Sequence, residues 1–311
     1  MRIQNIALMN IKHKRRKGII LALLSALGFA NVYFFSKSVL DKIPFPVFGF
    51  YWFGFSFIFL IFWAFLTNLR KDFEIISYGH KAILIVVSLI EVISTVMFFY
   101  SIKLIHNPSI ISFLTNFVPI FVAILSFIFL GERFVFLEYV GILIAVIGLL
   151  FLAYKDNFSF HDFFDLATVL ALFSSFLYAV NSVLIKKSVK NISPLLFGVV
   201  RVIFLFLFFV LYVVYKSIDI HITKNILINL FLGSLLGPTL SILFSLYAYK
   251  YIEATYVSII VSLKSLFTVI IIFLFMNMLP TRFQLIGGFL TLIGVIVMFY
   301  GKASYLKFKV K

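Results

Sequence analysis

The stretch from Ala82 to Ile102 reads AILIVVSLIEVISTVMFFYSI, with Glu91 its single charge. An α-helix needs about 20 predominantly apolar residues to cross the hydrocarbon core of a bilayer. Lipid offers no partner to a backbone N–H or C=O, so such a run is either a helix or a barrel strand. Barrel strands alternate apolar and polar side chains over about ten positions. This run is apolar all round, so it reads as a membrane-spanning helix. Val199 to Tyr215 is of the same kind, interrupted only by Arg201.

The rest of the chain repeats that pattern. Of 311 residues, 63% are apolar and 12% charged, about half the charged share of a typical soluble domain. Polar clusters at Arg70 to Asp72, Gly131 to Arg133, Lys155 to Asn157, Lys186 to Lys187 and Lys216 to Lys224 mark breaks between spans. Ten spans are expected, at roughly 18–40, 45–67, 82–104, 108–130, 135–154, 163–186, 194–215, 225–250, 254–277 and 283–300. The fold class is an all-α integral membrane protein. The basic start, Lys12 to Lys17, leads into an apolar run longer than a signal-peptide core and without a small-x-small cleavage site, so 18–40 reads as an uncleaved span.

The net charge of +16 does not call for nucleic acid, because the basic residues sit in loops and tails. There they set orientation by the positive-inside rule. With the N-terminus inside, 18 Lys and Arg fall on inner segments, seven on outer segments, and Arg201 and Lys264 within spans. Both termini are therefore expected in the cytoplasm, in a multi-pass protein of the plasma (inner) membrane. The chain has no cysteine, which excludes disulfides and thiol chemistry. His13, His80, His106, His161 and His221 fall in loops or tails without metal-ligand spacing, so neither a metal nor a cofactor is expected.

The chain also repeats internally. Ala22-Leu23-x-Ser25 recurs as Ala171-Leu172-x-Ser174, and Phe48-Gly49 as Phe197-Gly198, both 149 residues on. Tyr100-x-x-Lys103-x-Ile105 recurs as Tyr247-x-x-Lys250-x-Ile252, and Gly141 with Ile147-Gly148 recurs as Gly287 with Ile293-Gly294. The units are 18–154 and 163–301, flanked by tails 1–17 and 302–311. Each holds five expected spans, an odd number, so the second enters the membrane from the opposite side. The expectation is ten transmembrane helices as two inverted five-helix repeats, the symmetry that underlies alternating access.

The segment from Pro119 to Gly131-Glu132-Arg133, with Gly141 nine residues after Glu132, resembles the end of an EamA-type repeat of the drug/metabolite transporter superfamily. The second copy has Met278 where the family usually has the glutamate, and Lys264-Ser265 where members often read Glu-Pro. The resemblance runs from about Gly18 to Gly301 and implies a carrier whose central cavity is lined mainly by the first four helices of each half.

Three ionisable residues fall well inside spans: Glu91, Arg201 and Lys264. A charge at mid-bilayer costs at least about 2.5–3.5 kcal/mol, so such residues face a cavity or a partner. They are candidates for substrate binding or proton coupling. The structural alternatives are an ion pair of Glu91 with Lys264, and an Arg201 that snorkels to its helix end. A buried Lys264 favours an anionic or zwitterionic substrate, with Glu91 its counter-charge when substrate is absent. Asn31, Asn116, Asn181, Tyr247 and Ser262 complete the expected lining. Pro119, Gly237 and Pro238 are the expected helix breaks, where freed carbonyls bind substrate or permit bending. Trp52 and Trp63 read as packing or interface residues.

The function expected is a secondary transporter moving a small metabolite, such as an amino acid or organic acid, by alternating access. The partners are the substrate and the lipid bilayer, with proton coupling and a homodimer left open. No Gly-rich phosphate loop, H-E-x-x-H or Gly-x-Ser-x-Gly is present, so ATP drive and an intramembrane enzyme lack their parts. The alternative is a non-transporting membrane receptor or assembly protein.

Overall fold

Every regular element is helical among the residues that the computed structural model describes: 2–67, 69–104, 111, 114–153, 165–276 and 282–308. In chain order these are α1 (Arg2–Leu40), α2 (Phe45–Leu66), α3 (Leu69–Ile75), α4 (Tyr78–Leu104), α5 (Thr115–Phe129) and α6 (Phe136–Ala153). The second half holds α7 (Leu166–Ser188), α8 (Pro194–Tyr215), α9 (Lys224–Tyr251), α10 (Ala254–Ser262 and Lys264–Met276) and α11 (Arg282–Phe308). Seven of these are long and apolar enough to cross a membrane: α1, α2, α4, α7, α8, α9 and α10. Thr115–Phe129, Phe136–Gly148 and Leu285–Met298 are shorter apolar helices. Residues 1–17, expected as a tail, continue the first helix from Arg2, and α3 lies in a segment expected as loop. Lys155, His106, His161 and Met278 lie outside the described residues.

Large apolar side chains point outward along the spans, including Phe62, Phe65, Leu211, Leu274 and Ile296. A water-facing surface of that kind would aggregate; against lipid tails it is the complementary face. The core is built from the opposite faces, with Trp52, Phe48, Phe53, Phe209 and Tyr256 fully enclosed.

The two halves pack by a paired scheme. In the first half, α4 and α5 pack against α7 of the second; in the second half, the equivalent α9 and α10 pack against α1. Equivalent helices also meet each other, α2 with α8 and α6 with α11. The α6–α11 contact is antiparallel and glycine-mediated. A Cβ on Gly141 would meet Gly294 O at 2.8 Å, and one on Gly148 would meet Gly287 O at 2.7 Å. Small residues let membrane helices approach backbone to backbone, which is how they gain packing energy without a hydrophobic drive. Because these glycines are repeat equivalents, the pair is what a two-fold axis across the helices produces.

One end of the bundle gathers α1 near Lys17, the turn before α4, the α5–α6 loop, and the α7–α8 and α9–α10 turns. Lys17 Nζ sits 5.2 Å from the Tyr251 ring, Asn191 Nδ2 lies 3.2 Å from His80 Nε2, and Glu132 Oε1 accepts from Ala254 N at 2.8 Å. At the other end, Tyr51 OH donates to Ile220 O at 3.0 Å.

A Cβ on Gly294 would meet Ala145 N at 2.3 Å, whereas one on Gly79 meets nothing within 4 Å. Overpacking a tight contact costs about 1–3 kcal/mol. Gly294→Val should therefore lower the melting temperature in detergent by several degrees, while Gly79→Ala leaves it in place. Equal melting temperatures would contradict the close α6–α11 contact.

Candidate functional site

Two local breaks shape the interior. In α9, Pro238 has no N–H to give, and Leu235–Ser241 adopts a π-helical turn. Side chains take up the carbonyls this disturbs. Thr239 Oγ1 donates to Ser234 O at 2.9 Å, Ser241 Oγ to Leu236 O, and Ser25 Oγ of α1 to Ser241 O at 2.7 Å. In the other half, a 3-10 turn at Thr115–Phe117 precedes the regular helix from Val118, with Pro119 in its first turn. Pro119 thus starts a helix segment and does not bend a continuous one. α10 is interrupted too, at Leu263, and its second part meets the α5 break, since Ser265 Oγ donates to Asn116 Oδ1 at 3.0 Å, 149 residues away.

Between the halves lies a cavity of about 170 Å³. It is lined from α1, α2, α4 and α5 and from α7, α8, α9 and α10, the first four spans of each half; α6 and α11 are not in it. Glu91, Asn181, Arg201, Ser262 and Lys264 line it, together with Pro119, Gly237 and Pro238, which were expected as helix breaks.

The charges are arranged differently from the expectation. Glu91 pairs with Arg201, Nε to Oε1 at 2.6 Å, and not with Lys264. Asn181 Nδ2 donates to Glu91 Oε2 at 2.8 Å and to Val87 O at 3.1 Å. Arg201 is 7% exposed and Glu91 5%, so Arg201 does not snorkel. Its position on α8 points it inward, where an unpaired carboxylate would otherwise be buried.

Lys264 has no carboxylate within 4.0 Å among the described residues. Its Nζ lies 5.8 Å from the centre of the Phe29 ring and 5.7 Å from that of Tyr33, a cation–π seat on α1. One carboxylate and two cations leave the cavity with a net positive charge. Two more buried polar atoms on its lining lack a partner among the described residues: Asn181 Oδ1, an acceptor, and Trp52 Nε1, a donor. Both atoms are covered by neighbouring protein atoms, so a ligand in the cavity as it stands reaches neither.

Three expected lining residues lie elsewhere. Asn31 Nδ2 donates back to Leu27 O at 2.9 Å along α1. Tyr247 faces away, and Asn116 is buried behind the lining against Ser265. Tyr249, two residues from Tyr247, lines the cavity instead and donates to Ser182 Oγ at 2.8 Å. Tyr33 and Tyr178 also line the cavity without having been singled out by the sequence, and Tyr178 is held at 3.1 Å from Thr95 Oγ1. Its repeat equivalent is Phe29, 149 residues earlier, which also lines the cavity.

At one end of the cavity, Gly131 takes φ +64°, which a glycine tolerates, and ends α5. That turn delivers Glu132 to the start of α10, where it accepts from Ala254 N and from Thr255 Oγ1, each at 2.8 Å. Burial pushes the Glu132 carboxyl above its usual range, partly offset by these two donors.

Removing one member of a buried ion pair leaves an uncompensated charge and costs about 3–5 kcal/mol. Arg201→Met should therefore destabilise the protein by that order, and adding Glu91→Gln should restore most of the loss. A double variant no more stable than Arg201→Met would contradict the pairing.

The EamA-like transporter family matches residues 16–154 and again 165–300. No curated protein matches the chain. A crystal structure of another protein covers 93% of this chain and 98% of its own, with a TM-score of 0.75 at 12% identity. At that identity the likeness shows the fold alone, and it is a fold of nearly the same extent. Two family repeats cover almost the whole chain on either side of one cavity: the chain belongs to the EamA-like transporter family, whose members are multi-pass membrane transporters of small molecules.

Proposed function

We propose that the protein is a secondary transporter of a small anionic or zwitterionic metabolite, such as an amino acid or organic acid, working by alternating access. The observation that carries this reading is Lys264. It is an ammonium without a carboxylate partner among the described residues, on a cavity whose other two charges neutralise each other. A ligand carboxylate would supply the missing counter-charge. The mixed aromatic and hydroxyl lining suits a molecule with an apolar body.

We read the seven long apolar helices and the three shorter ones as ten spans in two inverted repeats, the arrangement that a transport step uses. The antiparallel α6–α11 pair and the exchanged helix contacts are what an axis in the membrane plane generates. The gathered end carries the basic excess, so we place it, with both termini, in the cytoplasm and the protein in the plasma membrane. Glu91 is the group through which a proton would couple, since protonation would release Arg201. A non-transporting receptor would have no use for two repeats closing on a charged cavity.

A ligand that binds only the native state stabilises it, by about 2.7 kcal/mol at a hundred times its Kd. In a metabolite panel, at least one anionic compound should raise the melting temperature of the wild type and leave Lys264→Met unmoved. Equal shifts for the two proteins would remove Lys264 from the site.

Orientation has its own test on this cysteine-free chain. Single cysteines at positions 80 and 309 should react only with reagents supplied from the cytoplasmic side. Labelling from outside would invert or break the topology.

A further inference from the structure

A ligand entering the cavity meets few polar groups that the protein has not already used. All four serine hydroxyls of the lining donate to carbonyls of their own helices, as Ser262 does to Ile259 O at 2.7 Å. The hydroxyls of Tyr33, Tyr178 and Tyr249 pair with Thr115, Thr95 and Ser182, at 2.9, 3.1 and 2.8 Å. Glu91 is engaged through both oxygens, one with Arg201 and one with Asn181. Glu91 and Arg201 are also buried, whereas Lys264 keeps part of its surface. The other lining residues that are half-buried are Phe29, Val118, Tyr178, Ile242 and Val261. A single ammonium therefore stands among apolar surfaces.

The charge balance restricts what can pair with it. Glu91 and Arg201 cancel, so the described lining carries one net positive charge. A monocarboxylate brings that to zero. A zwitterion pairs its carboxylate with Lys264 but adds an ammonium for which no free carboxylate remains on the described lining. Hydroxyl oxygens can accept from that ammonium, yet they supply no counter-charge. A dicarboxylate strands a negative charge in the same way. A charge taken out of water without a counter-charge costs far more than a neutral group in its place. Size restricts the ligand further. An apolar cavity of about 150 Å³ takes up benzene, and this one is about 170 Å³. One ring with a short acidic arm fills it.

We propose that the cavity selects a monocarboxylate without an amine, bearing one aromatic ring or an apolar group of that size. The proposal rests on the reading of Lys264 as the seat of the ligand's negative charge, and narrows it. Lys264 takes the carboxylate, and the half-buried apolar residues hold the body. The Glu91–Arg201 pair turns amino acids away, because its carboxylate is already satisfied.

Four probes that share a phenylethyl skeleton test this by calorimetric titration of the full chain in detergent at neutral pH. They are 3-phenylpropionate, phenylalanine, benzylmalonate and 2-phenylethylamine. 3-Phenylpropionate should bind at least about tenfold more tightly than phenylalanine or benzylmalonate, and 2-phenylethylamine should not bind. Lys264→Gln should abolish binding of 3-phenylpropionate while keeping the parent melting profile. Lys264→Glu, where it folds, should bind 2-phenylethylamine instead. Phenylalanine binding as tightly as 3-phenylpropionate, with both lost in Lys264→Gln, overturns the exclusion of amines and leaves Lys264 as the anion site. Benzylmalonate binding tightest overturns the single charge and likewise leaves that site standing. Binding of 3-phenylpropionate that persists in Lys264→Gln, or wild-type binding of 2-phenylethylamine, overturns the reading on which the proposal rests. No binding of any of the four overturns the proposed class, whatever another anion does to the wild type and not to Lys264→Met.

Discussion

A carboxylate and a guanidinium at the centre of a lipid-embedded bundle are tolerable only together. Glu91 and Arg201 meet at 2.6 Å between α4 of the first half and α8 of the second, with Asn181 of α7 on the free carboxylate oxygen. That arrangement fixes the facing of three helices and joins the two repeats across their interface. It also decides the electrostatics of the cavity. Because Arg201 satisfies Glu91, Lys264 is left with aromatic rings for company, and the cavity keeps one positive charge to offer. Had Glu91 paired with Lys264, as the sequence alone suggested, Arg201 would have been the spare cation on a different wall.

Around that centre, side-chain hydroxyls take up carbonyls beside the break in α9. Pro238 disturbs α9, and hydroxyls of Thr239, Ser241 and Ser25 recover its carbonyls. The second part of α10 meets the break of α5 through Ser265 and Asn116. The Gly131-Glu132 pair has a comparable explanation. Glycine supplies the left-handed turn, and glutamate reaches over to cap the first turn of α10 in the other half. Met278 cannot do this in return, which makes the two ends of the molecule chemically unequal despite the repeat.

Much of this was legible beforehand. Span positions follow from apolar run length, and the repeat follows from Gly141, Gly148, Gly287 and Gly294, which recur because backbones touch there. The intramembrane charges were legible as interior residues because lipid has no place for them. Their pairing was not, since three charges on three helices allow more than one match and only helix rotation chooses. The same limit explains Tyr247 and Tyr249. Two residues apart on a helix face nearly opposite ways, and the few polar residues of α9 are not gathered on one face in a way that says which way is in. Asn31 failed for a related reason: an amide can satisfy itself on its own helix, as it does at Leu27 O, without any cavity.

The central claim is that the cavity opens to one side at a time. Spin labels at the exposed positions Asn191 and Lys250 span one end, and labels at their repeat equivalents Lys42 and Lys103 span the other. Distances measured by pulsed electron resonance in lipid should fall into a short and a long population at each end. The long population at one end should match the short population at the other. Long distances at both ends in the same population balance, or one unvarying distance at each, would contradict the account.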